Sequence, residues 1–256
     1  MNDQLIKRNF EDACKRIIGN ENDRVGIGTL GEKTLHAVIK HTLEPDEKQH
    51  EIKIGRFYAD IVNGENIIEV QTRGFNSLRK KLAYFLEKHV VTVVYPIAQT
   101  KWIVWINPDT GEATKKRKSP KVGKMYEIFD ELYKIKPFLT HPNLRMKLLF
   151  FDITEYRNLN GWSHDKKKGS SRYDRIPQSL NSIINVENVN EYRKLIPENL
   201  PEIFTAKDFK RLSGLSLCGA QISMNVLKHI GTVIQQGKKG NALLYVKNPN
   251  KIDFKI

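Results

Sequence analysis

Two β-like runs joined by a tight turn constrain the fold more than any other segment. The runs are HEIKIGRFYADIV at residues 50–62 and NIIEVQTR at residues 66–73, and Asn63-Gly64-Glu65 separates them. Such a turn is typical of a β-hairpin, because glycine adopts the positive φ angle of a short loop without steric cost. The segment therefore predicts two adjacent antiparallel strands.

The segments around this hairpin alternate between helical and extended patterns. GEKTLHAVIKHTL (31–43) and SLRKKLAYFLEKH (77–89) have apolar residues at helical spacing. VVTVVYPI (90–97) and KWIVWIN (101–107) have strand patterns, and the first is apolar enough to be covered on both faces. The order helix, hairpin, helix, strand, strand predicts an α/β fold, with a mixed sheet that is flanked by helices.

The last sixty or so residues differ in character from the rest. FTAKDFKRLSGLS (204–216) and LCGAQISMNVLKHIG (217–231) have helical patterns, and Thr205 with Asp208 forms a predicted capping box. TVIQQGKKGNALLYVK (232–247) alternates around a glycine-containing turn, as a hairpin does. Two helices followed by a hairpin resemble a winged helix-turn-helix.

These patterns divide the chain into three parts. Residues 1–159 are interpreted as the α/β domain and residues 200–256 as a small winged-helix domain. Residues 160–199 are interpreted as a linker or connecting segment, because they begin with a polar stretch that is rich in turn formers.

The charge of the chain limits its partners. It has 43 Lys and Arg against 29 Asp and Glu, a formal net charge of +14, which favours nucleic acid or an anionic membrane over a solvated basic surface without a partner. The N-terminus lacks the apolar core of a signal peptide, and no apolar run approaches the ~20 residues of a transmembrane helix. A cytoplasmic, intracellular protein without a membrane partner is expected, and its two cysteines form no disulfide framework.

The element order and the hairpin residues resemble the PD-(D/E)xK nuclease superfamily, a restriction-endonuclease-like fold. That family has an Asp at the end of one strand and Glu-x-Lys in the next, often with a Glu on the preceding helix. Asp60, Glu69 and Glu32 stand at these positions, and the resemblance covers roughly residues 25–107. Gln71 stands where the family has its Lys, as it does in certain restriction endonucleases.

The resemblance implies a Mg²⁺ or Mn²⁺ ion. Asp60 and Glu69 would be its ligands, the carbonyl of Val70 a third, and Glu32 a ligand directly or through water. A metal held there acidifies a water and neutralises charge on a phosphodiester. Each carboxylate also has a structural interpretation: Asp60 as a turn residue, Glu69 as a charge at a strand edge, and Glu32 as a first-turn carboxylate favoured by the helix dipole.

The missing lysine needs a substitute. Glu69, Gln71 and Arg73 share a face of an extended strand, and Gln71 can hydrogen-bond a water but carries no charge. Arg73 on that face and Lys80 in the following helix are the candidates to supply the charge. His36, one helical turn after Glu32, is interpreted as a packing or surface residue rather than a catalytic one.

A DNA interface is predicted in two regions. In the second C-terminal helix, side chains along one face could read a major groove, while lysines at the hairpin tip contact phosphate. A basic loop at residues 109–124 is either solvated or a phosphate-contacting flap. The predicted residues are Gln221, Asn225, Lys228, Lys238, Lys239, Lys115, Lys116, Arg117 and Lys118.

The sequence therefore predicts a Mg²⁺-dependent DNA endonuclease that a winged helix targets to double-stranded DNA. The alternative is a catalytically inactive, nuclease-like DNA-binding or regulatory protein, which Gln71 favours. An RNA-processing enzyme or RNA binder is a third interpretation, because a basic cleft does not distinguish the two polymers. Cleavage of both DNA strands commonly takes two active sites, which favours a homodimer.

Overall fold

The computed structural model describes residues 3–19 and 34–252. The α-helices in this part of the chain are α1 (Asp3–Ile18), α2 (Thr34–Leu43), α3 (Arg79–Phe85), α4 (Phe129–Lys134), α5 (Ala206–Ser213) and α6 (Leu217–Ile230). The strands are β1 (His50–Ile54), β2 (Phe57–Asn63), β3 (Asn66–Val70), β4 (Val90–Ile106), β5 (Arg117–Lys118), β6 (Leu144–Asn158), β7 (Arg172–Val186), β8 (Ile203–Phe204), β9 (Val233–Lys239) and β10 (Ala242–Lys247).

The strands form one large and one small sheet. The large sheet has the order β1-β2-β3-β4-β6-β7, with β5 paired to β4, and the small sheet has the order β8-β10-β9. Strands β2 and β3 are antiparallel, whereas β3 and β4 are parallel, with Asn66 opposite Val90 and Val70 opposite Val94. The predicted mixed α/β sheet flanked by helices is confirmed.

The chain divides into two compact units. The first consists of Met1–Ile52, Pro96–Gly123 and Leu149–Ile183, and the second of Lys53–Tyr95, Lys124–Leu148 and Ile184–Ile256. In the first unit α1 packs against α2, and the rings of Phe10 and Phe151 lie 5.6 Å apart. In the second unit α6 packs against α4 and α5.

The first predicted strand is interrupted. Residues 50–62 form β1 and β2, and Gly55 between them has a φ angle of +59°. This φ angle favours glycine, and a Cβ at Gly55 would also displace the exposed side chain of Tyr84. The predicted turn at Asn63-Gly64-Glu65 is confirmed, with Asn63 paired to Asn66.

Two further elements differ from the prediction. The two strands expected at 90–97 and 101–107 are one continuous strand, β4. The helix expected from residue 77 begins as a 3-10 turn at Phe75–Leu78, and the buried carboxylate of Glu131 accepts the Phe75 N–H at 2.7 Å. A distant acidic side chain therefore satisfies the end of this helix, which local capping rules do not anticipate.

The interpretation of 160–199 as a connecting segment is corrected, because Arg172–Val186 form the long strand β7. Strand β7 ends the large sheet, where Pro177 and many polar side chains are tolerated because one edge needs no partner strand. In the C-terminal part, the capping box of Thr205 and Asp208 is confirmed, and so is the β9–β10 hairpin.

Candidate functional site

The hairpin brings Asp60 and Glu69 together in the second unit. Strands β2 and β3 pair with Ile61 opposite Ile68, and Asp60 and Glu69 are the next residues of these strands. The Oδ2 atom of Asp60 accepts the backbone N–H of Val70 at 2.7 Å. Glu69 is only 2% exposed.

A lysine from α3 pairs with Glu69. The ammonium of Lys81 donates to both carboxylate oxygens of Glu69, at 2.8 and 3.1 Å. Its side chain is 26% exposed, and buried Leu82 and Phe85 fix the helix that carries it. Asp60, Glu69 and Lys81 therefore form a compact cluster, which we call the acid-lysine site.

Arg73 and Lys80, and not Lys81, were the candidates from the sequence for the missing positive charge. In a helix with 3.6 residues per turn, Lys81 lies about 70° from the direction of Leu82 and Phe85, whereas Lys80 lies about 170° away. Lys80 is accordingly exposed. The apolar spacing of α3 thus carried the signal that identifies Lys81.

The predicted partners of Glu69 in its own strand lie elsewhere. Strand β3 ends at Val70, so the alternation of faces does not extend to Gln71 and Arg73 as predicted. The amide of Gln71 donates to the carbonyl of Arg73 at 2.5 Å and approaches the Ser77 hydroxyl at 3.4 Å. Arg73 is exposed. Gln71 therefore stabilises the loop after β3 through hydrogen bonds within that loop.

Burial and charge set the protonation of Glu69. Burial and, after it, the negative charge of Asp60 raise the pKa of Glu69 to about 7, against the opposing effect of the hydrogen bonds and charge of Lys81. Glu69 therefore lies close to half-protonated at neutral pH, unlike an ordinary surface glutamate.

The two carboxylates fit a hard divalent cation. Mg²⁺ is commonly held by one or two carboxylates and keeps several waters, and the acid-lysine site offers two such groups on neighbouring strands. Within residues 3–19 and 34–252, no group of three or more His, Cys, Asp or Glu side chains could hold a metal. Glu32, the predicted additional ligand, lies outside the described residues. His36 is half-buried in α2.

The pH dependence of stability tests the environment of Glu69. Its folded pKa is raised above the ordinary 4.5, so it contributes stability below pH 4.5 that is lost as the pH rises through about 7. Glu69→Gln removes this loss. In EDTA, denaturant unfolding should show the variant gaining about 2–3 kcal/mol on the wild type between pH 5 and pH 8. A pH-independent difference would contradict this assignment.

The basic loop at residues 109–124 packs against strand β4 of the first unit. Strand β5 pairs with β4, so that Lys118 lies opposite Trp102. The ammonium groups of Lys116 and Lys118 lie 4.7 and 6.0 Å from the centre of the Trp102 ring, at the distance of a cation–π contact. The predicted residues Lys115, Lys116, Arg117 and Lys118 are all exposed.

In the C-terminal region the predicted DNA-reading side chains are exposed, but two of them have partners. Asn225 accepts a hydrogen bond from Lys136 at 3.0 Å, and Lys228 donates to Gln235 at 3.1 Å. Gln221 is exposed on the same face of α6. Lys238 and Lys239 are exposed at the end of β9.

Leu217, which the helical pattern of α6 predicts to be buried, is 37% exposed. It lines a cavity of about 280 Å³ with Gln221 and Leu243.

None of the described helices is long and apolar enough to cross a membrane.

Comparison with known proteins places the chain in a family. A protein of Treponema pallidum (strain Nichols), described as "Uncharacterized protein", is 28% identical over 230 residues, which cover 87% of this chain and 88% of that protein. No solved structure matches the chain. The family model described as "Domain of unknown function (DUF8091)" matches residues 33–187, which include Asp60, Glu69 and Lys81. Because this match spans more than half of the sequence, the chain belongs to the DUF8091 family.

Proposed function

We propose that the protein is a Mg²⁺-dependent DNA endonuclease, with Mn²⁺ as an alternative metal. The observation that carries this proposal is the acid-lysine site, in which Lys81 contacts the Glu69 carboxylate at 2.8 Å beside Asp60. The resemblance to PD-(D/E)xK nucleases requires two acids and one lysine. Lys81 supplies, from α3, the amine that Gln71 lacks.

Asp60, Glu69 and the carbonyl of Val70 would hold the metal, with Glu32 as a further ligand. When bound, the metal lowers the pKa of a water and offsets the negative charge that develops on the phosphodiester. Glu69 must be deprotonated to bind it, and because its pKa is raised to about 7, metal binding near neutral pH would release this proton.

Lys81 has two tasks in this proposal. An ammonium group has three donors, so Lys81 can hold Glu69 and also donate to a phosphate oxygen or to the attacking water. Its positive charge favours the ionised form of Glu69 against the repulsion from Asp60. Lys81 thereby keeps the metal ligand available and orients the nucleophile.

The C-terminal helices and hairpin are proposed to act as a winged helix on double-stranded DNA. The succession of α5, α6 and the β9–β10 hairpin supports this proposal, as do two exposed lysines at the end of β9. Gln221 is the base-reading candidate on α6, because Asn225 and Lys228 already bond to Lys136 and Gln235. Double-strand cleavage by this protein would take a homodimer, with one active site for each strand.

The neighbouring lysines of α3 provide a matched test of the active site. Lys81→Ala is expected to lower Mg²⁺-dependent nicking of supercoiled plasmid by about a hundredfold, the usual effect of losing one charge-stabilising donor. Lys80→Ala removes the same charge from an exposed position of the helix and should cleave as the wild type does. Equal rates for the two variants would contradict the assignment of Lys81.

A catalytically inactive, DNA-binding protein is the second candidate. The observation that favours it is the ion pair itself, since Lys81 already compensates the charge that a metal would neutralise. Such a protein shifts duplex DNA but leaves supercoiled plasmid intact in Mg²⁺ and in Mn²⁺. Calorimetry would then detect no metal binding in the wild type.

A further inference from the structure

A second cluster of charged side chains lies in the first unit, around Glu155 of β6. Glu155 is completely buried, yet four basic groups lie within ion-pair distance of its carboxylate. These are Arg157 at 2.5 Å, Arg175 at 3.0 Å, Arg172 at 3.4 Å and Lys101 at 3.7 Å. We call these five residues the Glu155 cluster.

The cluster carries an excess of positive charge. Four cations around one carboxylate leave a net charge of +3, and the cationic side chains are only 18% to 30% exposed. Burial lowers the pKa of Lys101, and the charges of Arg157, Arg175 and Arg172 add to this against the opposing effect of Glu155. One carboxylate thus relieves only part of the repulsion between these side chains.

The geometry leaves donors for an anion. Each guanidinium has five N–H donors, and the two oxygens of Glu155 cannot accept all the N–H groups of Arg157 and Arg175. Arg157 donates to Glu155 through Nε, and its guanidinium lies 5.7 Å from the centre of the Trp105 ring. Glu155 and Trp105 therefore hold the plane of Arg157 in place, as a preformed site for a tetrahedral oxyanion requires.

We propose that the Glu155 cluster binds the phosphate backbone of a nucleic acid. Its residues come from β4, β6 and β7, which are neighbours in the sheet. Since all four cations lie within 3.7 Å of one carboxylate, their charged ends form one compact site of about the size of a phosphate group. Three of the four cations are arginines, whose planar fork matches phosphodiester oxygens. The cluster shares no residue with the acid-lysine site and needs no metal.

Binding without cleavage tests the proposal. The affinity for a fluorescent duplex oligonucleotide is measured by anisotropy in EDTA over a range of salt concentrations. Arg175→Gln should weaken binding about tenfold and reduce the slope of log affinity against log salt by about 1, because one phosphate contact is lost. Lys7→Gln removes an exposed cation of α1 and should leave affinity and slope unchanged.

A second variant, which changes the charge of the cluster in the opposite direction, distinguishes loss of a binding group from misfolding. Glu155→Gln raises the net charge of the cluster by one and keeps an amide oxygen that can accept the hydrogen bond from Arg157, so it should bind the duplex more tightly than the wild type at a temperature where circular dichroism shows it folded. Arg175→Gln with wild-type affinity and slope would overturn the proposal, as would weaker binding by folded Glu155→Gln. Because EDTA abolishes metal chemistry, an inactive nuclease that shows these shifts still supports the site.

Two further ligands identify the source of the phosphate. Inorganic phosphate at a concentration equal to that of DNA phosphate should compete weakly, since a single anion lacks the contacts that neighbouring phosphates of a DNA backbone make with other basic residues. Vesicles with anionic headgroups should bind Arg175→Gln and wild type equally. Competition by inorganic phosphate as strong as by DNA, or loss of vesicle binding with unchanged DNA binding, would overturn the assignment to nucleic acid.

Discussion

Glu69→Gln and Asp60→Asn are each expected to lower Mg²⁺-dependent cleavage of duplex DNA by about a thousandfold or more. Each change replaces a charged, proposed metal ligand with a neutral amide, so a metal that supplies several kcal/mol of transition-state stabilisation would be bound poorly. The size of the two side chains is preserved. Initial rates of plasmid nicking at saturating Mg²⁺ and pH 8 measure the effect.

Two controls separate lost chemistry from lost structure. Glu65→Gln removes a carboxylate from the exposed turn of the same hairpin and should cleave at the wild-type rate. Glu69→Gln should remain folded, because the environment of Glu69 already favours its uncharged form. Duplex binding in EDTA should also persist in both site variants. Cleavage at the wild-type rate by Glu69→Gln and by Asp60→Asn would refute the nuclease proposal.

The outcome also separates the two proposed functions. If the wild type cleaves and the two variants do not, the pair of acids is the catalytic centre. If none of the three proteins cleaves but all bind duplex DNA, the ion pair of Lys81 with Glu69 is a structural replacement for a metal. Titration of Mn²⁺ into the wild type then decides, since the inactive protein binds none at this site.

The features predicted correctly from the sequence are those that depend on a few neighbouring residues. The hairpin follows from the turn at Gly64, and α5 begins at its predicted N-cap, Thr205, because both depend on a few adjacent residues. The meeting of Asp60 and Glu69 follows from the hairpin and the alternation of side chains along each strand.

Contacts between residues that are far apart in the sequence could not be predicted in this way. Glu131 satisfies the Phe75 N–H across 56 positions of sequence, and the polar strand β7 is stabilised by its place at the sheet edge. Lys81 was identifiable from the apolar spacing of α3, but sequence reasoning looked for the charge at Arg73 and Lys80. The Glu155 cluster combines residues of three strands, which no local pattern joins.

Glu155→Gln is expected to destabilise the protein by about 3 kcal/mol at pH 7, the largest stability effect that we predict. Removing one partner of a buried ion pair leaves the other charge uncompensated, which commonly costs about 3–5 kcal/mol, and here the remaining cations keep some contact with water. Urea unfolding followed by circular dichroism measures the change. Glu112→Gln, at an exposed position of the first unit, should alter stability by less than about 0.5 kcal/mol.

The pH dependence of stability distinguishes the loss of the Glu155 charge from the loss of its packing. Burial alone would raise the pKa of Glu155, but the hydrogen bond from Arg157 and the charges of Lys101 and Arg175 lower it to about 2. A lowered folded pKa contributes stability above pH 4.5 that is lost as the pH falls towards 2. The difference between wild type and Glu155→Gln should therefore shrink as the pH falls from 5 to 2. A difference that is constant over this range would show that Glu155 acts through its shape, and the cations around it would then not be held by its charge.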